Sequence, residues 1–260
     1  MSKTVVDTNV YLSRWPFRRL PLDEPGALVT KLREHGVTQA WTGSFDGLLH
    51  KDISGVNSRL AEECEQFGKN LLLPFGSINP MLPDWEQDLR RCHERWRMPG
   101  IRLHPNYHGY KLADPVFAKL LRAATERKLI VQIAVSMEDR RTQHPLISVD
   151  PVDARPLAAI LKEVPKARIQ LLNALQSLRG APLLSTLAAG NVTVEIATLE
   201  GAAGIETLLS SVPLGKVLFG SYAPFFIFES ALLKLKESSL SDAQLIALTK
   251  GNAERFNNHE

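Results

Sequence analysis

The chain has 260 residues, 44% hydrophobic and 23% charged, with a formal net charge of +3. This is an ordinary globular composition, large enough for a core without disulfide staples, and so small a charge gives no sign of a nucleic-acid partner. No apolar run is long enough to span a bilayer, no leader-like segment opens the chain, and Cys64 and Cys92 lack CxxC spacing, so the expectation is a cytoplasmic protein with reduced thiols and no membrane partner.

The first apolar run is TVVDTNV at 4–10. Alternate strand residues point the same way, so Asp7, Asn9 and Tyr11 are expected to share one face, with Arg14 and Trp15 just beyond. A helical pattern over 24–35 follows and ends at Gly36 as a C-cap. Next come VTQAWTG, a helix over 54–67, LLLPFGS, a helix over 84–96 and GIRLH. Pro105 and Gly109 then predict a loop through His104 and His108. The series continues with a helix over 114–127, LIVQIAV, a helix over 153–163, ARIQLLNA, a helix over 181–189 and NVTVEIA. A helix over 203–210, KVLFGS, a helix over 226–236 and a last helix from Ser241 to Phe256 complete it.

Strands that are mostly continuous apolar runs are strands covered on both faces. Eight strand–helix alternations in one chain of this length predict a closed parallel (β/α)8 TIM barrel, one domain over 1–260. The competing open doubly wound sheet lacks support, since no GxGxxG or GxxxxGK follows the first strand. In such barrels the active site lies at the C-terminal strand ends. There the sequence places Asn9, Tyr11, Arg14, Trp15, Ser44, Asp46, Ser77, Asn79, His104, Asn106, Tyr107, His108, Ser136, Glu138, Asp139, Asn173, Thr198, Glu200, Ser221 and Tyr222.

VVDTNVYL resembles the first strand of the amidohydrolase-related metal-dependent hydrolases, which usually carry Asp-x-His-x-His. GIRLHP is similar to their fourth strand, VLFGSYAPF to their eighth (usually Gly-Ser-Asp-x-Pro), and GNAERF to their closing helix. The resemblance spans Val5 to Phe256 and implies a barrel hydrolase. Carried over by position, the first-strand histidines fall on Asn9 and Tyr11. The fifth-strand histidine falls on or beside Ala134, the sixth on Ala174 or Asn173, and the eighth-strand aspartate on Tyr222. Amide, phenol and methyl groups hold divalent ions poorly or not at all. The expectation is therefore no metal at the usual place and no other cofactor.

Without a metal, His104, His108 or Glu138 is the candidate acid or base, and Tyr222 a donor to developing charge. Asn9, Tyr11, Arg14, Trp15, Asn106 and Ser221 are the candidate substrate contacts; Arg14 suits an anion and Trp15 a planar group. Each has a plainer reading: Asp7 as a hydrogen-bonded structural acid, both histidines as loop anchors, and Tyr11 with Tyr222 as a plug where the metal would be. Three functions stay open: a metal-free hydrolase or lyase of a small, planar, anionic metabolite; a decayed barrel that binds or scaffolds; and a hydrolase with a metal moved to His104, His108, Glu138, Asp139 or His144. The partner is a small molecule, and homodimer formation through outer helices is expected by analogy.

Overall fold

Residues 4–258 are described by the computed structural model. Their apolar runs form eight parallel strands, each hydrogen-bonded to the next in chain order. They are β1 (Val5–Leu12), β2 (Val37–Ser44), β3 (Leu72–Ser77), β4 (Gly100–Leu103), β5 (Ile130–Ala134), β6 (Arg168–Leu172), β7 (Asn191–Glu195) and β8 (Val217–Leu218). Helices α1 (Pro25–Glu34), α2 (Ile53–Gly68), α3 (Trp85–Glu94), α4 (Pro105–His108), α5 (Pro115–Glu126) and α6 (Leu157–Glu163) alternate with them. So do α7 (Gly180–Ala188), α8 (Gly204–Leu209), α9 (Phe228–Glu237), α10 (Asp242–Ile246) and α11 (Asn252–Asn258). The circle closes where Thr8 N donates to Phe219 O, Tyr11 N to Ala223 O, and Tyr222 N to Asn9 O. The expected TIM barrel is the observed fold.

Two helical expectations change. The loop after β4 is the one-turn α4, with Pro105 at its start and Gly109 left-handed at its end, the positions each residue favours. The last helix is interrupted: a π-turn over Ala247–Gly251 joins α10 to α11.

Outward residues such as Ile101, Leu103, Val131, Ile133, Ile169, Leu171, Val192 and Val194 pack with Leu28, Leu60, Leu89 and Leu120 of the helices into the main core. The barrel interior has three layers. Val6, Trp41, Phe75, Ile130 and Leu218 fill the bottom, closed by Ala253 and Phe256. The middle is polar. Arg102 Nε donates to Gln132 Oε1 at 2.8 Å, Gln132 Nε2 to Gln170 Oε1 at 2.8 Å, Gln170 Nε2 to Thr8 Oγ1 at 2.6 Å, and Thr8 Oγ1 to Phe219 O at 2.8 Å. Arg102 also donates to Val10 O and Trp41 O. Buried polar groups are tolerated when paired in this way. Gly43 makes room for them: a Cβ there would lie 2.7 Å from Arg102 Cδ. The top layer is aromatic and forms the floor of the mouth.

Candidate functional site

β1 sets the geometry of the mouth. Its pairing with β2 shifts register between Asp7 and Val10, so strict alternation fails and Thr8 also reaches inward, to Gln170. Asp7 accepts from Asn9 N, Ser221 N and Ser221 Oγ, tying β1 to the segment after β8. Asn9 Nδ2 donates to Asn173 Oδ1 at 2.9 Å and Glu195 Oε1 at 3.2 Å, while Asn9 Oδ1 is buried without a partner. Tyr11 Oη lies 3.1 Å from His104 Nε2. The three side chains thus have three separate partner sets instead of lining one shared pocket face.

Rings close the barrel axis. Tyr11 stacks on Phe45 at 4.5 Å and meets Tyr222 edge-on at 5.6 Å. Trp15 packs against Phe45 and Phe225. Tyr222 stacks on Phe225 at 4.8 Å, and its hydroxyl donates to Met137 O at 2.7 Å. Tyr222 and Asn173 both hold left-handed backbones, at φ 60° and 52°. Only a well-packed surrounding keeps a tyrosine in that region.

Burial decides the charge states here. His104 is 1% exposed; burial, His108 and Arg102 drive its pKa well below the usual imidazole value, so the ring is neutral, and its Nδ1 has no partner. Burial lowers His108 too, and its Nε2 lies 2.8 Å from Gly47 O. Tyr11 is pushed up to about 12 and Tyr222 well above the normal phenol value, both by burial, so each keeps its proton. Glu195, unmentioned among the sequence candidates, is buried and pushed up to about 7 by desolvation, although Asn173 N and Ala197 N donate to it. Gly220 leaves space for it, since a Cβ there would sit 2.6 Å from Glu195 Oε2.

The open space lies to one side of this plug. A cleft of about 620 Å³ is lined by Arg18, Glu138, Asp139, Gln176, Thr198, Glu200, Phe225, Phe226 and Lys234, among others. It is built from the segments after β1, β5, β6, β7 and β8, together with α9. Arg18 stands over the Phe225 ring at 5.0 Å and lies 3.7 Å from Glu138. Burial raises the Glu138 pKa, and Arg18 partly offsets this. Asp139 is instead held well below the carboxylate range by Arg141. A smaller cleft of about 230 Å³ shares Arg18 and Glu138 and adds Phe17, His144 and Ile147.

The sequence candidates therefore divide. Tyr11, Trp15, His104 and Tyr222 come together, but as a sealed cluster and not as the walls of a pocket. Ser221 is spent on Asp7, and His108 on Gly47. Arg14 does not reach the mouth: it is exposed and pairs with Glu24 at 2.6 Å. Asn106 sits at the rim, donating to Asp150 O. Glu138 alone among the candidate acids and bases lines the open cleft. Arg18 and Lys234, not among the sequence candidates, join it there.

A sequence profile of the family described as amidohydrolase matches residues 13–256. The chain belongs to the amidohydrolase family. No curated protein matches this family member in sequence. Solved structures give the same fold. The 5-carboxyvanillate decarboxylase of Sphingomonas paucimobilis aligns at TM-score 0.78 and 12% identity, over 99% of each chain. The 2,6-dihydroxybenzoate decarboxylase from Rhizobium aligns at 0.75 and 13%, over 100% of this chain and 99% of that one. The 5-carboxyvanillate decarboxylase of Novosphingobium aromaticivorans, a structure with bound manganese, aligns at 0.77 and 13%, over 98% and 97%.

The positions onto which the family resemblance carries the metal ligands are otherwise occupied in this amidohydrolase-family barrel. Tyr11 and Tyr222 keep their protons and fill the axis with rings, Ala134 offers no donor, and the Asn9 and Asn173 amides are turned on each other. Among the described residues no three His, Cys, Asp or Glu side chains group closely enough to hold an ion. No helix among them is long and apolar enough to cross a membrane.

Proposed function

We propose that the protein is a lyase or hydrolase of a small, planar, anionic metabolite, working in the offset cleft without a divalent ion at the barrel axis. The observation that carries this reading is the setting of Glu138. Its side chain is largely shielded from water beside a guanidinium and an aromatic wall, where a pKa raised by burial suits a general acid or base. Arg18 takes the substrate's negative charge, Phe225 and Phe226 take its flat face, and Glu138 delivers or removes the proton at the reacting atom. The structural neighbours are named as decarboxylases of planar aromatic acids, which agrees with an anionic flat ligand. His104 and Tyr222, sealed in the ring cluster, support the floor of the mouth in this reading.

The ring cluster itself favours a second reading, a barrel that holds such an anion without transforming it. One experiment tests both. Chelator-treated protein is screened against aromatic and carbonyl carboxylates, beginning with 2,6-dihydroxybenzoate, for binding and for turnover. Turnover that falls about 10²-fold or more in kcat/KM in Glu138→Gln, with binding retained, supports the enzyme. Binding without turnover establishes the second reading. Turnover that appears only after manganese is added refutes the first.

A further inference from the structure

A metal in a lyase supplies a place for electrons to go when a bond to carbon breaks. In the function proposed above, which uses no metal at the axis, another group has to accept them. Among side chains, an amine does so by condensing with a carbonyl to give a protonated Schiff base. Lys234 is the one primary amine lining the offset cleft among the described residues.

Its surroundings suit an uncharged amine. Lys234 Nζ donates to Ile196 O at 3.0 Å and also to Ala197 O. Both acceptors are uncharged backbone carbonyls, which hold the nitrogen beside the cleft without a carboxylate partner. Among the described residues no carboxylate lies within ion-pair distance of it, although Glu195, Glu200 and Glu237 act on it from further away. Burial outweighs those acids and lowers its pKa. Thr198 stands beside it: it lines the same cleft, and its Oγ1 is shielded from solvent with no hydrogen-bond partner among the described residues.

We propose that Lys234 is a covalent catalyst that forms a Schiff base with a small 3-oxo carboxylate and so drives its decarboxylation. This rests on the offset cleft being the working site. The amine nitrogen adds to the ketone carbon. The hydroxyl then leaves as water, with a proton supplied by Glu138, which gives the iminium. The bond from the α-carbon to the carboxylate breaks, CO2 departs, and the electron pair moves through the α-carbon onto nitrogen to give an enamine. A proton is added at the α-carbon, and water releases the ketone and the free lysine. In sum, one 3-oxo carboxylate and one proton give one ketone and one CO2. Arg18 receives the carboxylate on entry, and Thr198 Oγ1 bonds the oxygen that leaves.

The test uses the full chain, treated with chelator, with acetoacetate as probe and sodium cyanoborohydride to reduce any imine. Peptide mapping by mass spectrometry should place the reduced adduct on Lys234 and not on the exposed Lys69 or Lys119. The adduct should be lost in Lys234→Arg. Labelling of Lys234 no stronger than that of the surface lysines overturns the inference, and this holds on the wild-type protein even if the variant fails to fold. Binding of 2,6-dihydroxybenzoate is measured by calorimetry alongside. Binding without adduct removes the Schiff base and leaves the offset cleft as the site; absence of both removes the two together.

Discussion

Arg102 is fully enclosed with no hydrogen-bonded carboxylate, and Arg102→Lys measures what its shape contributes. The substitution keeps the buried charge, so its desolvation cost is not relieved. What changes is the fork. Nε, Nη1 and Nη2 reach Gln132 Oε1, Val10 O and Trp41 O at 2.7–2.9 Å, in three directions, and the guanidinium lies 4.3 Å from the Tyr11 ring centre. A single ammonium nitrogen reaches one or two of these acceptors and leaves the others dry. Each charge-assisted bond is worth about 1.5–3 kcal/mol, so the expected loss is about 2–5 kcal/mol. For a chain of this size that corresponds to a fall in Tm of roughly 5–15 °C. Urea unfolding and thermal melts followed by circular dichroism provide the measurement. A variant within about 1 kcal/mol of wild type, at an unchanged urea dependence, would refute the claim that the fork organises the barrel interior.

The buried acids predict a pH dependence with a definite sign. Desolvation raises Glu195 to about 7 and Asp7 to about 6, so the folded state keeps protons that the unfolded chain has lost. Their contribution is therefore most favourable below the unfolded carboxylate range and declines as pH rises through the folded values, by about 3 kcal/mol for Glu195. His104 and His108, held neutral by burial, act oppositely, losing stability as pH falls below the free imidazole value. The readout is therefore the difference between Glu195→Gln and wild type, which should favour the variant by about 2–3 kcal/mol more near pH 8 than near pH 5. An equal difference at both pH values would contradict it. The axial substitutions predict indifference to metal: chelator-treated protein should melt at the same temperature with and without millimolar manganese. A Tm that climbs with manganese concentration would reveal a folded-state site and overturn the argument from Tyr11 and Tyr222.

The barrel was legible because its outward strand faces and helices keep an apolar rhythm that parallel, doubly covered strands require. The eighth-strand segment VLFGSYAPF and the closing GNAERF carried the family resemblance in the same way. The interior was harder to read. Arg102, Gln132, Gln170 and Glu195 stand among aliphatic neighbours, and that interruption was the available signal. Its meaning depends on which strands face each other across the barrel, which one strand's sequence does not state. The mouth residues were found as a set but not as a pocket. Nothing in TVVDTNVYL announces a register shift, and the stacking of Tyr11 on Phe45 joins residues from different strand ends. Arg14 was chosen for the mouth when its neighbour Arg18 lines the cleft: the turn after β1 carries several arginines, and only its path tells them apart.

The side chains across the middle of the barrel have a sense of direction. Arginine has hydrogens only to give, and the Phe219 carbonyl has only lone pairs to receive, so Gln132, Gln170 and Thr8 between them must all point the same way. Turning either amide around would set like against like on both sides at once. The centre of this protein thus holds one proton arrangement, written by its two ends. An acid in place of either glutamine would have to take up a proton to keep the arrow intact.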